Sequence, residues 1–130
     1  MGYISSLEGE MEFSRPLTRK ESAPLALAFE DNWNVFELIT ETETRETGEG
    51  ELTVTKTYGI GLSMSSAKAY EMARVLQEAI TALPEDVKIT GYFERVGENQ
   101  PDVERLYVVG RKVVAVQARI AWDIPEGAQV

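Results

Sequence analysis

In 130 residues there is no histidine and no cysteine, and 22 acids stand against 13 bases, a net charge of −9. The missing residue types exclude disulfides, thiolate chemistry and histidine-based acid–base sites, and they remove the usual ligands of zinc, copper and haem. The acidic balance disfavours nucleic-acid phosphates and anionic lipid, both of which are gripped through Lys and Arg.

A hydrophobic share of 43% is enough for one packed core. One domain over residues 1–124 is expected, with a flexible tail over 125–130. The absence of cysteine fits a reducing cytoplasm, the expected setting, and there is no apolar run of about 18 residues and no charged-then-apolar leader. No cofactor or metal is expected.

From Tyr3 to Phe13 the odd positions Tyr3, Leu7, Gly9, Met11 and Phe13 are apolar or small while Glu8, Glu10 and Glu12 are charged. That is the period-two pattern of a half-buried strand. Pro16 stops it. Thr18-Arg19-Lys20-Glu21 then has the form of a capping box opening a short helix through Leu25, Ala28 and Phe29, with Pro24 in or near its first turn and Asp31-Asn32 with Asn34 at its end.

Val35 to Thr44 and Glu51 to Leu62 read as a long hairpin joined through Glu46-Thr47-Gly48-Glu49-Gly50. On its second strand Leu52, Val54, Tyr58, Ile60 and Leu62 are expected on the core face, and Thr53, Thr55 and Thr57 on the wet one. A long amphipathic helix is predicted over about 66–83 from the recurrence of Ala69, Met72, Ala73, Leu76, Ile80 and Leu83, capped by Ser65 or Ser66 and ended by Pro84. Val87, Ile89, Gly91 and Phe93 alternate as a further strand. After a polar loop at 97–102, Leu106–Val109 and Lys112–Trp122 pair around Gly110-Arg111, a two-residue hairpin signal. These elements predict an α+β layered fold, a mainly antiparallel sheet of about six strands packed by the long helix and the short N-terminal one.

The charge is unevenly distributed. Residues 1–51 hold 12 acids and 4 bases, against 10 and 9 in the remainder. Glu8, Glu10 and Glu12 share one strand face, and Glu41 and Glu43 lie on the hairpin among other acids. Carboxylates in rows can be a solvated surface, a guard against edge aggregation, or an imitation of a nucleic-acid backbone that occupies a basic cleft on another protein.

A second candidate is an anion site at the start of the predicted long helix, Ser63, Ser65, Ser66 and Lys68 after Gly59-Ile60-Gly61, helped by Arg111 and Arg119 from the last hairpin. The stretch lacks the P-loop and dinucleotide glycine patterns. Arg105, Arg111, Lys112 and Arg119 form the basic cluster of the chain. Trp33, Trp122, Tyr58, Tyr70 and Tyr107 read mainly as core, with a stacking surface as the alternative.

Taken together, Met1-Gly2-Tyr3 with Gly9-Glu10, Arg15-Pro16-Leu17-Thr18, Lys68-Ala69-Tyr70, Arg105-Leu106-Tyr107-Val108, Gly110-Arg111-Lys112-Val113 and Ala118-Arg119-Ile120-Ala121-Trp122 resemble a family of small proteins of actinobacteria and their phages, a domain of unknown function. The chain departs from that pattern at Arg19, where the family tends to carry Trp, and at Trp122-Asp123-Ile124-Pro125. The resemblance implies a phage or prophage accessory protein and brings no site residues with it. The expectation is a non-enzymatic protein-binding module that uses its acidic N-terminal face on a host protein, inhibition of a host enzyme or defence protein included. The alternative is a binder of a nucleotide-like anion, and a homodimer is a possible state.

Overall fold

The opening alternation becomes a 13-residue strand, β1 (Ser5–Leu17), in a computed structural model that describes residues 3–30, 35–68, 71–99 and 102–129. The helix stop expected at 31–34, with Trp33, and the pair Ala69 and Tyr70 lie outside the described residues. Leu7 and Met11 turn inward and are buried, and the glutamates between them are exposed.

The capping box forms as predicted. The Thr18 N–H donates to Glu21 Oε1 at 3.0 Å, and the Glu21 N–H donates to Thr18 Oγ1 at 3.2 Å. It opens α1 (Arg19–Glu30), which runs through Pro24 without splitting and buries Ser22, Leu25 and Phe29.

The remaining strands are β2 (Phe36–Thr47), β3 (Gly50–Leu62), β4 (Ser66–Ala67), β5 (Ile89–Val96), β6 (Val103–Val109) and β7 (Lys112–Gln117). The order across the sheet is β2-β3-β1-β5-β6-β7, every pairing is antiparallel, and β4 pairs with the start of β1.

The long amphipathic helix expected over 66–83 is not formed. The observed α2 (Met72–Thr81) has ten residues, so the chain is mostly antiparallel sheet with two short helices rather than a sheet layered under a long one. The physical reason lies at Ser65–Ala67. The Leu7 N–H donates to the Ser65 carbonyl at 2.8 Å, and Ser66 and Ala67 pair with Ser6 and Ser5. A serine-rich stretch with little helix preference thus satisfies its backbone on the open edge of β1 instead. The buried face of α2 is Met72, Val75, Leu76, Ala79 and Ile80, whereas Ala73, expected inward, is exposed.

The sheet's inner face and the two helices enclose one core. Phe29 from α1, Phe36 from β2 and Phe93 from β5 meet at its centre, with ring centroids 5.6 and 5.0 Å apart. Met11 is 0% exposed and Phe93 1%. Around Met11 the backbones come too close for side chains. Gly9 and Gly91 have φ of +116° and +102°, and a Cβ on either would lie 2.3 or 2.4 Å from a carbonyl oxygen of the neighbouring strand. Only glycine fits both the dihedral and the gap.

The hairpin of β2 and β3 departs from the predicted facing. Ile39 pairs with Gly59 but Thr40 pairs with Thr57, so Tyr58 is an extra residue on β3. A bulge of this kind reverses the alternation beyond it. Thr53, Thr55 and Thr57 therefore fall on the side of Ile60, opposite Thr44, Thr42 and Thr40, while Leu52 and Val54 turn to the other side. Beyond Thr57 the hairpin leaves β1 and projects from the sheet as an exposed arm.

Candidate functional site

Because both helices cover one face of the sheet, the other face is bare. The strand register lays out its side chains. One row runs Glu10, Tyr92, Tyr107 and Val114 across β1, β5, β6 and β7. The next runs Glu8, Glu94, Arg105 and Val116. A third joins Ile39, Gly59, Glu12 and Thr90. Glu8, Glu10 and Glu12 follow one another at about 6.7 Å, the two-residue repeat of a strand, and are exposed.

Beside this acidic ridge is an aromatic platform. The rings of Tyr92 and Tyr107 lie 5.4 Å apart, and the Arg105 guanidinium sits 4.3 Å above the Tyr92 ring. Arg105 Nε donates to Glu94 Oε1 at 2.9 Å and its NH1 donates to the Tyr107 hydroxyl at 3.2 Å. These bonds raise the Arg105 pKa above its ordinary value, so its charge is fixed. Tyr58, Tyr92, Val109, Val114 and Val116 are exposed large apolar residues. An apolar area bordered by charge, on a face that nothing covers, has the composition of a docking surface.

The predicted partner-binding residues separate into two places. Glu8, Glu10 and Glu12 are together on β1, at the middle of the bare face. Glu41 and Glu43 lie out on the arm opposite Lys56 and Val54. Tyr92, Glu94 and Arg105 complete the bare face and are absent from the predicted site. Their signal is in the sequence all the same, since the alternation that turns Phe93 and Leu106 inward turns their neighbours outward.

The residues of the anion reading are not brought together. Ser63 to Lys68 is strand and turn rather than a helix start, and α2 begins after Glu71, which makes no side-chain cap. Arg111 is at the opposite end of that helix. At φ +69°, after Gly110 at +55°, it turns the β6–β7 hairpin back onto α2. Its NH2 donates to the carbonyls of Leu83 at 2.6 Å and Ile80 at 3.1 Å, and its NH1 to that of Pro84 at 3.1 Å. A cation on a helix C-terminus is favourably placed, and here it serves the fold. The hollow beside it, about 190 Å³, is lined by Ile80, Leu83, Val87, Ile89 and Val108 with Lys88 at its side. Arg119 is exposed beyond the end of β7.

Two further ionic clusters tie the loops. Arg15 binds Glu21 and Asp86 with both sides of its guanidinium, at 2.7–3.0 Å. The Arg15 bond, helped by the Thr18 N–H, holds the Glu21 carboxyl down to about 2. Arg95 forks onto Asp102 at 2.8 and 3.0 Å, and the Tyr3 hydroxyl donates to the same carboxylate at 2.8 Å. Arg95 first and Tyr3 second hold Asp102 at about 2. Both clusters close loops and stay on the covered side or its rim.

Among the described residues no group of three or more carboxylates is arranged to hold a metal ion, and no helix is long and apolar enough to cross a membrane. No family model, curated protein or solved structure matches the chain.

Proposed function

We propose that the protein is a small acidic protein-binding module whose partner docks on the bare face of the sheet. The observation that supports it most is the uncovered row of Glu8, Glu10 and Glu12 beside the Tyr92, Tyr107 and Arg105 platform. Aromatic residues give area at low entropic cost, and an acidic border selects for a basic surface and speeds encounter. The partner this composition fits is a protein with a basic cleft around an apolar floor. The resemblance to proteins of actinobacteria and their phages supplies the setting, an accessory protein in the bacterial cytoplasm that occupies a cleft on a host enzyme or defence protein.

Affinity capture from an actinobacterial lysate tests this reading. Wild-type protein is expected to retain a partner that Glu8→Gln/Glu10→Gln/Glu12→Gln loses, with retention falling as salt rises. A partner held equally by the variant removes the acidic row from the account.

A further inference from the structure

β2 ends the sheet on one side. Its twelve residues, Phe36–Thr47, have β3 along one edge, and no strand lies along the other among the described residues. An edge of this length is usually blunted by Lys, Pro or a bulge, because its free N–H and C=O groups accept any strand that fits. β2 holds no Lys and no Pro, and the extra residue of its bulged pairing, Tyr58, falls on β3. From Thr40 outward every residue of β2 is exposed.

The arm is also short of neighbours. Beyond Thr57 β3 has no pairing with β1, so residues 40–47 and 50–56 form a ribbon of two strands. Two strands alone are marginal in water, and further strands alongside supply the missing support.

Charge selects the occupant. Glu43-Thr44-Arg45 lies in the exposed part of the edge, with Glu43 and Arg45 on one face and the Arg45 NH2 donating to Glu43 Oε2 at 3.1 Å. Set antiparallel against itself, this triplet is its own complement. Thr44 opposes Thr44 of the second copy, and Glu43 opposes Arg45 twice. Outside the triplet Glu41 meets Thr47 and Thr42 meets Glu46, so residues 41–47 of both strands pair with no like charges opposite each other. A shift by two residues sets Glu43 on Glu43 or Arg45 on Arg45, and a shift by one turns every side chain to the wrong face. The face of the arm that carries Glu41 and Glu43 also carries Arg45 and Lys56, two acids and two bases, so two arms meet there without net repulsion.

We propose that two copies pair arm to arm through the outer edges of β2, antiparallel about Thr44, which joins two ribbons into one four-stranded sheet. Both copies use the same edge, so the contact closes as a two-fold dimer. Its specificity lies in the two reciprocal pairs of Glu43 with Arg45, and its backbone bonds come from an edge that the monomer leaves open. The row of Glu8, Glu10 and Glu12 takes no part, so failure of this inference and failure of partner docking are separate results.

Sedimentation equilibrium of charge variants tests the contact. Wild-type protein is expected at twice the 14.5 kDa of one chain. Arg45→Glu sets four acids against one another across the seam and Glu43→Arg sets four bases, so each alone is expected at the mass of one chain. An equal mixture of the two is expected to dimerise, and so is the exchanged variant Glu43→Arg/Arg45→Glu, in which the same pairs are reversed. The chain has no cysteine, so Thr44→Cys places a single thiol at the two-fold axis. A short bismaleimide is expected to join that thiol to its copy, and to leave Thr53→Cys unjoined, because the two Thr53 positions lie three strand spacings apart, about 14 Å. A wild type that stays monomeric up to about 1 mM, an Arg45→Glu variant that assembles like wild type, a mixture and exchanged variant that stay monomeric, or joining through Thr53→Cys in place of Thr44→Cys overturns the proposal. Dimerisation of the exchanged variant also shows that substitution at these two positions leaves the fold intact.

Discussion

Along β1 neighbouring residues obey different constraints. Met11 is 0% exposed beneath the helices, in a place where Gly9 and Gly91 leave no room for a side chain, while Glu10 and Glu12 on either side of it face a surface that nothing crosses. Packing accounts for the inner series, since Leu7, Met11 and Leu17 belong to the same buried core as Phe29, Phe36 and Phe93. It does not account for the outer one. Three like charges and two tyrosine rings tilted against each other are not needed to hold a sheet together, so the outer face is free to be chosen for binding. The difference between the faces separates what folds the chain from what it presents.

Substitutions should therefore act on one face or the other. Phe93→Ala removes the ring that joins the core trio and is expected to lower stability by about 3–5 kcal/mol in urea unfolding. Gly91→Ala is expected to cost about 3 kcal/mol, because the added methyl meets the Glu10 carbonyl at a φ that alanine rarely adopts. A loss below 1 kcal/mol would show that the strands can separate there. Arg111→Ala leaves three carbonyls at the end of α2 without their cation and is expected to cost about 1–2 kcal/mol.

Acid acts through the ionic clusters. Glu21 and Asp102 are each held at about 2, below their ordinary values of 4.5 and 3.8, so the folded state favours the charged forms. Their contribution is complete above about pH 4.5 and is lost as the pH falls towards 2. Urea midpoints measured from pH 7 to 2 are expected to fall across that window, and less steeply in Arg15→Ala. The smallest stability effect is expected on the outer face. Glu8→Gln, Glu10→Gln and Glu12→Gln should each stay within about 0.5 kcal/mol of wild type while partner binding is lost.

Much of this division was legible in the sequence. The period of two through Leu7 to Met11 and through Ile89 to Phe93 sets the inner face, Thr18 and Glu21 declare the start of α1, and Gly110-Arg111 declares the turn. Three features depended on tertiary pairing that no local pattern reveals. Ser65 to Ala67 fits a helix N-terminus by spacing, but the open edge of β1 claimed its backbone. The bulge at Tyr58 adds one residue to β3 and so exchanges the faces of Leu52 and Thr53 without changing the composition of the strand. Trp122 continues the alternation of β7 past the last residue of β6 that could pair with it.

The candidate site was read in part. The acidic row was visible as alternation, whereas its aromatic half depends on the register that sets Tyr92 beside Tyr107. In the sequence Arg111 reads as available for a ligand because its three carbonyl acceptors lie 27–31 residues away in the chain.

Carboxyl footprinting of the complex with a captured partner tests the binding face most directly. Carbodiimide labelling of Glu8, Glu10 and Glu12 is expected to slow at least tenfold in the complex, while Glu30 at the end of α1 and Glu85 after α2 label at the rate of the free protein. Glu8, Glu10 and Glu12 labelling as fast in the complex as in the free protein would contradict the assignment of the bare face as the docking surface.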